Sequence, residues 1–460
     1  MRKLKKRLKN WLNQLAKDNV RARGVIRWCM NAYGLLHYRL TTFWLGTDDH
    51  TVLFASFDGR AYSDSPRAIF EHMVRSREFE GCTLVWGVRK AKVAKLRKTV
   101  RKLREEVYPE IAGIPSEKLD AESLPGPKIV VVGYNGKQWR RYLATAKYWV
   151  LNFKVPDYLR PKRDQVFLQT WHGTPLKRLG YDLEHFDNVL NTREGMQRRY
   201  GLETEKFSWF VSPSPFATEK FKSAWRMEEH GKDGIILQTG YPRNDILTTH
   251  TPSDVDRIKA RIFGHFYLPY EQKVKRPTIV LYAPTYRSDH HESGKGYTYD
   301  DELDFERLRA EFGDDVIVLF RTHWLIAGRF DFERYAGFVY NVSGYDDMSD
   351  LYLISDVLIT DYSSSMFDFS ILKRPMIFYM YDLEHYRDES NGFYFDPEEV
   401  LPGPIVRTED ELVGALHDVV EGRFAYDERY ERFNERFNSL EDGHASERVV
   451  NAVLDAARDR

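Results

Sequence analysis

The sequence predicts an α/β protein built from two parallel-sheet halves that face each other across a cleft. Three observations carry this prediction. From about residue 50, short apolar runs alternate with amphipathic stretches, the pattern of buried strands and covering helices. The alternation occurs twice, on either side of a segment rich in turn formers, Gly240 to Asp254. The chain of 460 residues, 42% hydrophobic and 14% aromatic, is long enough for two or three domains with sizeable cores.

The first forty residues stand apart. Arg2, Lys3, Lys5, Lys6, Arg7 and Lys9 open a basic run that contains a single acid, Asp18. Leu4, Leu8, Trp11, Leu12 and Leu15 recur at helical spacing, which sets an apolar stripe against a cationic face. Such a helix lies in the interface of an anionic bilayer, so residues 1–45 are expected to be a membrane-association segment. Thr51 to Phe57 reads as the first buried strand. In the next helix Ser65 is expected to cap and Pro66 to occupy the first position. CTLVWGV is a second strand, and Arg89 to Arg104 a very basic helix, read as solvated or membrane-facing. PKIVVVGYN, KYWVLN and VFLQTW complete the first half, which is expected to span 46–240. TIVLYAP, VIVLF, DVLIT and MIFYMY supply the strands of a second half, 241–425. Residues 426–460 are expected to form a C-terminal helix that packs back across the pair.

Composition narrows the function classes. Lys+Arg and Asp+Glu both total 69, so the net charge is zero, and no nucleic-acid-binding motif is present; nucleic acid is not an expected partner. The two cysteines, Cys29 and Cys82, form no CxxC pair and no disulfide framework. No run of roughly 18 apolar residues predicts a membrane-spanning helix, and the N-terminus lacks the apolar core of a secretion signal. His290-His291-Glu292 lies in a polar loop without ligand spacing, so neither a metal nor another cofactor is expected.

In doubly wound sheets ligands sit beyond the carboxyl ends of the strands. After VFLQTW comes His172, followed by Gly173 and Thr174. Thr174 is expected to cap a short helix opened by Pro175 and closed by Gly180. His172 would then sit at a strand end beside a helix N-terminus, where anions bind. After TIVLYAP come Thr285, Tyr286 and Arg287; after VIVLF come Arg321 and His323. Two residues apart on extended chain, Arg321 and His323 would present one cationic fork to a phosphate. After DVLIT come Asp361, Tyr362, Ser363, Ser364 and Ser365, where the serines open a helix whose free amides can hold a diphosphate. No glycine-rich phosphate loop is present.

In this order, WHGTPLKRLGYD, YAPTYR, FRTHW and SDVLITDYSSSMFDFSILKRPMIFYMYDLEHY resemble the CDP-glycerol glycerophosphotransferase family. Those are peripheral enzymes that prime and extend wall teichoic acid and related capsule polymers. The resemblance covers roughly residues 130 to 420. It implies the GT-B architecture of two facing Rossmann-like domains. It also implies that His172 is the base on the acceptor hydroxyl, and that His323, Ser363 and Ser364 hold the donor diphosphate with Asp361 beside them. Arg321 joins that cage on charge and spacing. The implied donor is CDP-glycerol and the implied acceptor is linked to a polyprenyl diphosphate. The implied place of work is the cytoplasmic face of the cell membrane. Competing readings are a CDP-ribitol enzyme of the same family, a GT-B glycosyltransferase using a nucleotide sugar, and a non-catalytic membrane-bound module.

Overall fold

A computed structural model describes residues 20–114, 124–184, 192–264, 276–285, 291–292, 296–297, 303–322, 330–389 and 392–458. The leucines of the N-terminal stripe, Leu4 to Leu15, therefore lie outside the described residues, as do Arg287, His290 and His323.

Seven strands make the first sheet: β1 (Asp48–Ala55), β2 (Thr83–Val88), β3 (Lys128–Gly133), β4 (Ala146–Leu151), β5 (Val166–Gln169), β6 (Trp209–Ser212) and β7 (Ile236–Gln238). They run parallel in the order β3-β2-β1-β4-β5-β6-β7. The second sheet uses β8 (Thr278–Ala283), β11 (Val316–Phe320), β12 (Val339–Asn341), β13 (Val357–Thr360), β14 (Met376–Tyr379) and β15 (Ile405–Val406). It is also parallel, in the order β12-β11-β8-β13-β14-β15, while β9 (His291–Glu292) and β10 (Gly296–Tyr297) form a separate antiparallel pair. These central strands are buried on both faces because helices cover both sides of each sheet, which is why they read as continuous apolar runs. Trp86 stacks on Phe54 at 6.0 Å and meets Phe70 edge-on at 5.5 Å. Aromatic pairs of this kind add about 0.5–1.5 kcal/mol each beyond the area they bury.

Three local expectations need correction. The first helix of the sheet domain starts earlier than Ser65: it runs Asp64–Arg75 with Ser63 at its cap. No helix follows Pro175. Instead the chain crosses to the second half, where Leu176 enters that half's core and Lys177 bridges Phe393. The Arg178 amide donates to the Gly392 carbonyl at 3.1 Å and the Leu176 carbonyl accepts from Tyr394 at 2.9 Å, so these backbone groups are committed across the cleft and not along a helix. The turn-rich segment is also more ordered than a plain linker. It folds as a 3-10 turn, Pro242–Asn244, and two helices, Asp245–Thr249 and Pro252–Phe263.

The C-terminal helices tie the halves together. Glu428–Phe437 sets Phe437 against Phe216 of the first half at 4.9 Å and against Phe367 of the second at 4.9 Å. Ala445–Arg458 then packs Val449, Val450 and Val453 with Ile69 and Met73 in the first half's core. Glu441, between these helices, accepts from the Tyr241 amide at 2.9 Å and from Asn244 at 3.2 Å. Burial pushes its carboxyl pKa up to about 8. The folded state thus holds this proton over a range where the unfolded chain has released it. Stability is therefore greatest at low pH and falls as pH rises from about 4.5 through about 8. Glu441→Gln is expected to flatten that slope and raise Tm at pH 8.5 but not at pH 5, as read by thermal melts. A Tm difference that ignores pH would remove this explanation.

Candidate active site

The cleft between the sheets holds a cavity of about 350 Å³, floored by Phe57, His172, Arg243, Arg321 and the serines Ser363, Ser364 and Ser365. His172 reaches it through strain. Trp171 adopts φ 52°, in the left-handed region that a bulky residue rarely enters, and its amide is held by the Gln169 side chain at 3.0 Å. The kink turns the imidazole out of the sheet. Its Nδ1 lies 2.9 Å from the Asn152 carbonyl, an acceptor only, so Nδ1 carries the hydrogen and Nε2 keeps its lone pair. The same Asn152 accepts from the Phe57 amide at 2.9 Å, and the Phe57 ring stands 6.0 Å from the imidazole.

The His172 side chain is exposed and lines the cavity, with the Trp171 ring 4.2 Å from the imidazole on one side. Desolvation, opposed by the Asn152 hydrogen bond and reinforced by the Arg243 and Lys154 charges, lowers its pKa to about 4. The imidazole is neutral at physiological pH, as a base must be before it takes a proton.

The halves touch here. A Cβ placed on Gly173 would lie 2.7 Å from the Ser364 hydroxyl, so only glycine lets the His172 turn approach the serine turn this closely. Ser365 donates to the Ser363 hydroxyl at 2.9 Å, and the helix Ser365–Ser370 starts at Ser364. Two sequence-predicted residues sit behind the cavity. Thr174 is buried, and Asp361 accepts from the Thr285 amide at 2.8 Å and the Tyr362 amide at 2.6 Å, bracing the ends of β8 and β13. Arg321 lines the cavity, but its Nη1 donates to the carbonyls of Val342 at 3.0 Å and Tyr345 at 2.7 Å. That use of Nη1 anchors the β11 end as well as facing the cleft. Arg287 and His323 remain unplaced, outside the described residues.

Sequence reading missed Arg243. It is 8% exposed and forks onto Asp368 through Nε at 3.1 Å and Nη2 at 3.0 Å. Its Nη1 stands 3.6 Å from Asp64 and makes no hydrogen bond among the described residues. Burial alone would weaken this cation, but Asp368 and Asp64 more than offset it and hold the guanidinium firmly charged. The signal available was the PRND run inside the turn-rich segment, a lone arginine between Pro242 and Asn244 with Asp245 next. Around the cleft, Arg67 meets Asp347 at 2.9 Å and Lys92 meets Asp346 at 2.6 Å, each pairing one half with the other. No group of three His, Cys, Asp or Glu side chains among the described residues is arranged to hold a metal ion.

This arrangement offers a neutral, oriented base, a buried guanidinium with a spare donor, and serine hydroxyls at a helix start. Together they can deprotonate a hydroxyl beside a phosphate and stabilise the charge that moves to the leaving group.

Known proteins share most of the chain, not the motifs alone. Residues 36–455 match the family described as CDP-Glycerol:Poly(glycerophosphate) glycerophosphotransferase. A teichoic acid glycerol-phosphate transferase of Staphylococcus aureus is 36% identical over 421 residues, 91% of this chain and 97% of that one. A teichoic acid poly(glycerol phosphate) polymerase of Bacillus subtilis is 35% identical over 408 residues, 88% of this chain but 49% of that one. Among solved structures, a variant of the wall teichoic acid polymerase TagF soaked with CDPG has a TM-score of 0.75 and 32% identity, covering 97% of this chain and 98% of that one.

Proposed function

The chain belongs to the CDP-glycerol:poly(glycerophosphate) glycerophosphotransferase family, and we propose that it moves glycerol phosphate from CDP-glycerol to a hydroxyl of a lipid-linked acceptor, releasing CMP. It is a phosphotransferase of teichoic acid synthesis, with two parallel α/β halves as in the TagF structure.

In the proposed reaction the acceptor oxygen attacks the β-phosphorus of CDP-glycerol. The bond from that phosphorus to the bridging oxygen breaks, and CMP leaves with the electron pair. Nε2 of His172 takes the hydroxyl proton, while Nδ1 stays on the Asn152 carbonyl and keeps the tautomer fixed. The Arg243 Nη1 donor and the Ser363 and Ser364 hydroxyls meet the phosphoryl oxygens, where charge gathers as the bond breaks. Arg321, Arg287 and His323 complete the donor side in this reading. The single observation that carries it is the close approach of the His172 turn to the serine turn across the cleft. The first half then presents the acceptor and the second holds the nucleotide.

The decisive experiment supplies purified protein with CDP-glycerol, CDP-ribitol or a UDP-sugar and a lipid-linked acceptor, and follows the nucleotide by mass spectrometry. CMP from CDP-glycerol alone is the expected result. CMP from CDP-ribitol replaces the polyol, and UMP replaces the reaction.

We place the enzyme at the cytoplasmic face of the membrane, attached through its N-terminal segment. No helix among the described residues is long and apolar enough to cross a membrane. The helix Val20–Thr42 instead leaves Trp28, Tyr33, Leu36 and Leu40 in solvent, followed by Phe43 and Trp44. It docks on the first half through Gly34 against Tyr158 and Asn31 against Asp157. An apolar ridge held on a folded domain beside a basic leader suits an anionic bilayer surface. Replacing Trp28, Phe43 and Trp44 together by serine is expected to abolish co-sedimentation with anionic vesicles. Undiminished sedimentation would remove this helix from membrane binding.

A further inference from the structure

A second cavity, of about 590 Å³, opens in the first half beside the catalytic cleft. Its walls come from the carboxyl ends of four neighbouring strands. Asp58 follows β1, Arg89 and Lys90 follow β2, Tyr134 and Asn135 follow β3, and Lys154 to Asp157 follow β4. The strand order reverses between β1 and β4. That is the switch point where an open parallel sheet leaves a crevice for a ligand. His172 follows β5, the next strand along, and Phe57 of the catalytic cavity is the chain neighbour of Asp58 in this one. Asn152, just beyond β4, holds both the Phe57 amide and the His172 imidazole between the two cavities' strand ends.

The charge facing this second cavity is cationic. Arg89, Lys90, Lys154 and Arg199 outnumber its acids; of these Glu203 pairs with buried Lys206 at 2.7 Å and Asp58 meets Arg60 at 3.4 Å, while Asp157, which accepts from the neutral Asn31 amide at 3.4 Å, keeps its charge. Arg89 and Lys90 are exposed at the rim. Half-buried Lys154 lies with its ammonium 3.1 Å from the centre of the Tyr200 ring, and among the described residues it forms no salt bridge. Desolvation lowers the Lys154 pKa to about 7 despite the nearby Glu203. A bound anion would reverse that lowering, because an opposite charge favours the ammonium. The rim at Asp157 is the same place where the helix Val20–Thr42 docks with its apolar ridge outward.

We propose that this cavity binds a phosphate of the acceptor, through Arg89, Lys90 and Lys154, and so presents the acceptor hydroxyl to His172 past Phe57. The inference rests on the functional reading above and adds a site to it. The acceptor enters from the membrane-facing helix, the donor occupies the serine side of the cleft, and the two meet at His172. The phosphate has two sources of one chemistry: a terminal glycerol phosphate on the acceptor, or the diphosphate that joins it to lipid.

The test uses the full chain, CDP-glycerol and two synthetic acceptors, a prenyl-diphosphate-linked saccharide with and without a terminal glycerol phosphate. The Arg89→Ala/Lys90→Ala double variant and Lys154→Met are expected to raise the acceptor KM about tenfold or more, equivalent to about 1.4 kcal/mol. The KM for CDP-glycerol should stay within about twofold of its original value, and Lys154→Arg should restore most of the loss. An effect confined to the glycerol-phosphate-tipped acceptor assigns the terminal phosphate; an effect on both assigns the lipid diphosphate. An unchanged acceptor KM with both compounds, or an equal rise in the CDP-glycerol KM, overturns the site. Equilibrium binding of the same acceptors without donor separates the two readings. Protein that binds acceptor through these residues yet turns over an added UDP-sugar and not CDP-glycerol sinks the donor assignment and leaves the cavity standing.

Discussion

His172→Ala is expected to lower kcat by about 10² or more while leaving Tm and the KM for CDP-glycerol nearly unchanged. The side chain faces the cavity and makes one hydrogen bond to the body of the protein, the contact to Asn152. Its removal therefore costs little packing and takes away the group that receives the proton. The pH dependence gives a second readout. A base works when deprotonated, so activity is retained above its pKa and lost as pH falls through it. With the free-enzyme pKa lowered to about 4, kcat/KM should be flat from pH 7 down to about 5 and fall only below that. The anionic donor, once bound beside the imidazole, favours its protonated form, so the acid limb of kcat should lie at higher pH than that of kcat/KM. CMP release measured across pH 3.5 to 8 resolves both limbs. A folded His172→Ala protein with full turnover would end the base assignment.

Arg243 carries the second large expectation. Arg243→Ala leaves Asp368 and Asp64 buried without their cation, and breaking such a pair costs about 3–5 kcal/mol. That variant tests stability, not chemistry. Arg243→Lys is the informative change. It keeps the charge but cannot fork onto Asp368 and also offer a donor to the cavity. It should melt only a few degrees below the parent yet lose about 10²-fold in kcat, the usual cost of deleting one donor aimed at developing charge. Wild-type kcat in Arg243→Lys would show that Nη1 never meets the phosphoryl group and that the arginine only holds the halves together.

The contrast between these two residues shows what was legible. His172 stands beside its strand in sequence, between an indole and a glycine, so its place at a strand end followed from local pattern. Ser363 and Ser364 were legible for the same reason, and their helix does open there. Arg243 was hidden because its meaning depends on Asp368, 125 residues away, and on Asp64 in the other direction. Turn formers around it read as a linker. Thr174 and Pro175 misled in the opposite sense. They look like a helix start, yet the amides that would have continued the helix bond to residues 392–394. The basic stretch from Arg89 also divided in a way that charge alone did not reveal. Lys92 binds Asp346 across the cleft, Arg97 reaches the Val131 carbonyl, and Arg89 and Lys90 face the second cavity.

By itself the sequence determined the two parallel α/β halves and the chemical groups delivered at their strand ends. Both follow from periodicity and turn chemistry within a few residues, because a buried parallel strand must be apolar and the residue after it must face the sheet's edge. Which strand ends meet was decided only in three dimensions. The reversal between β1 and β4, the contact of Gly173 with Ser364 and the Arg243–Asp368 fork are all long-range. Each is fixed by the docking of one half on the other, and no local repeat encodes that docking.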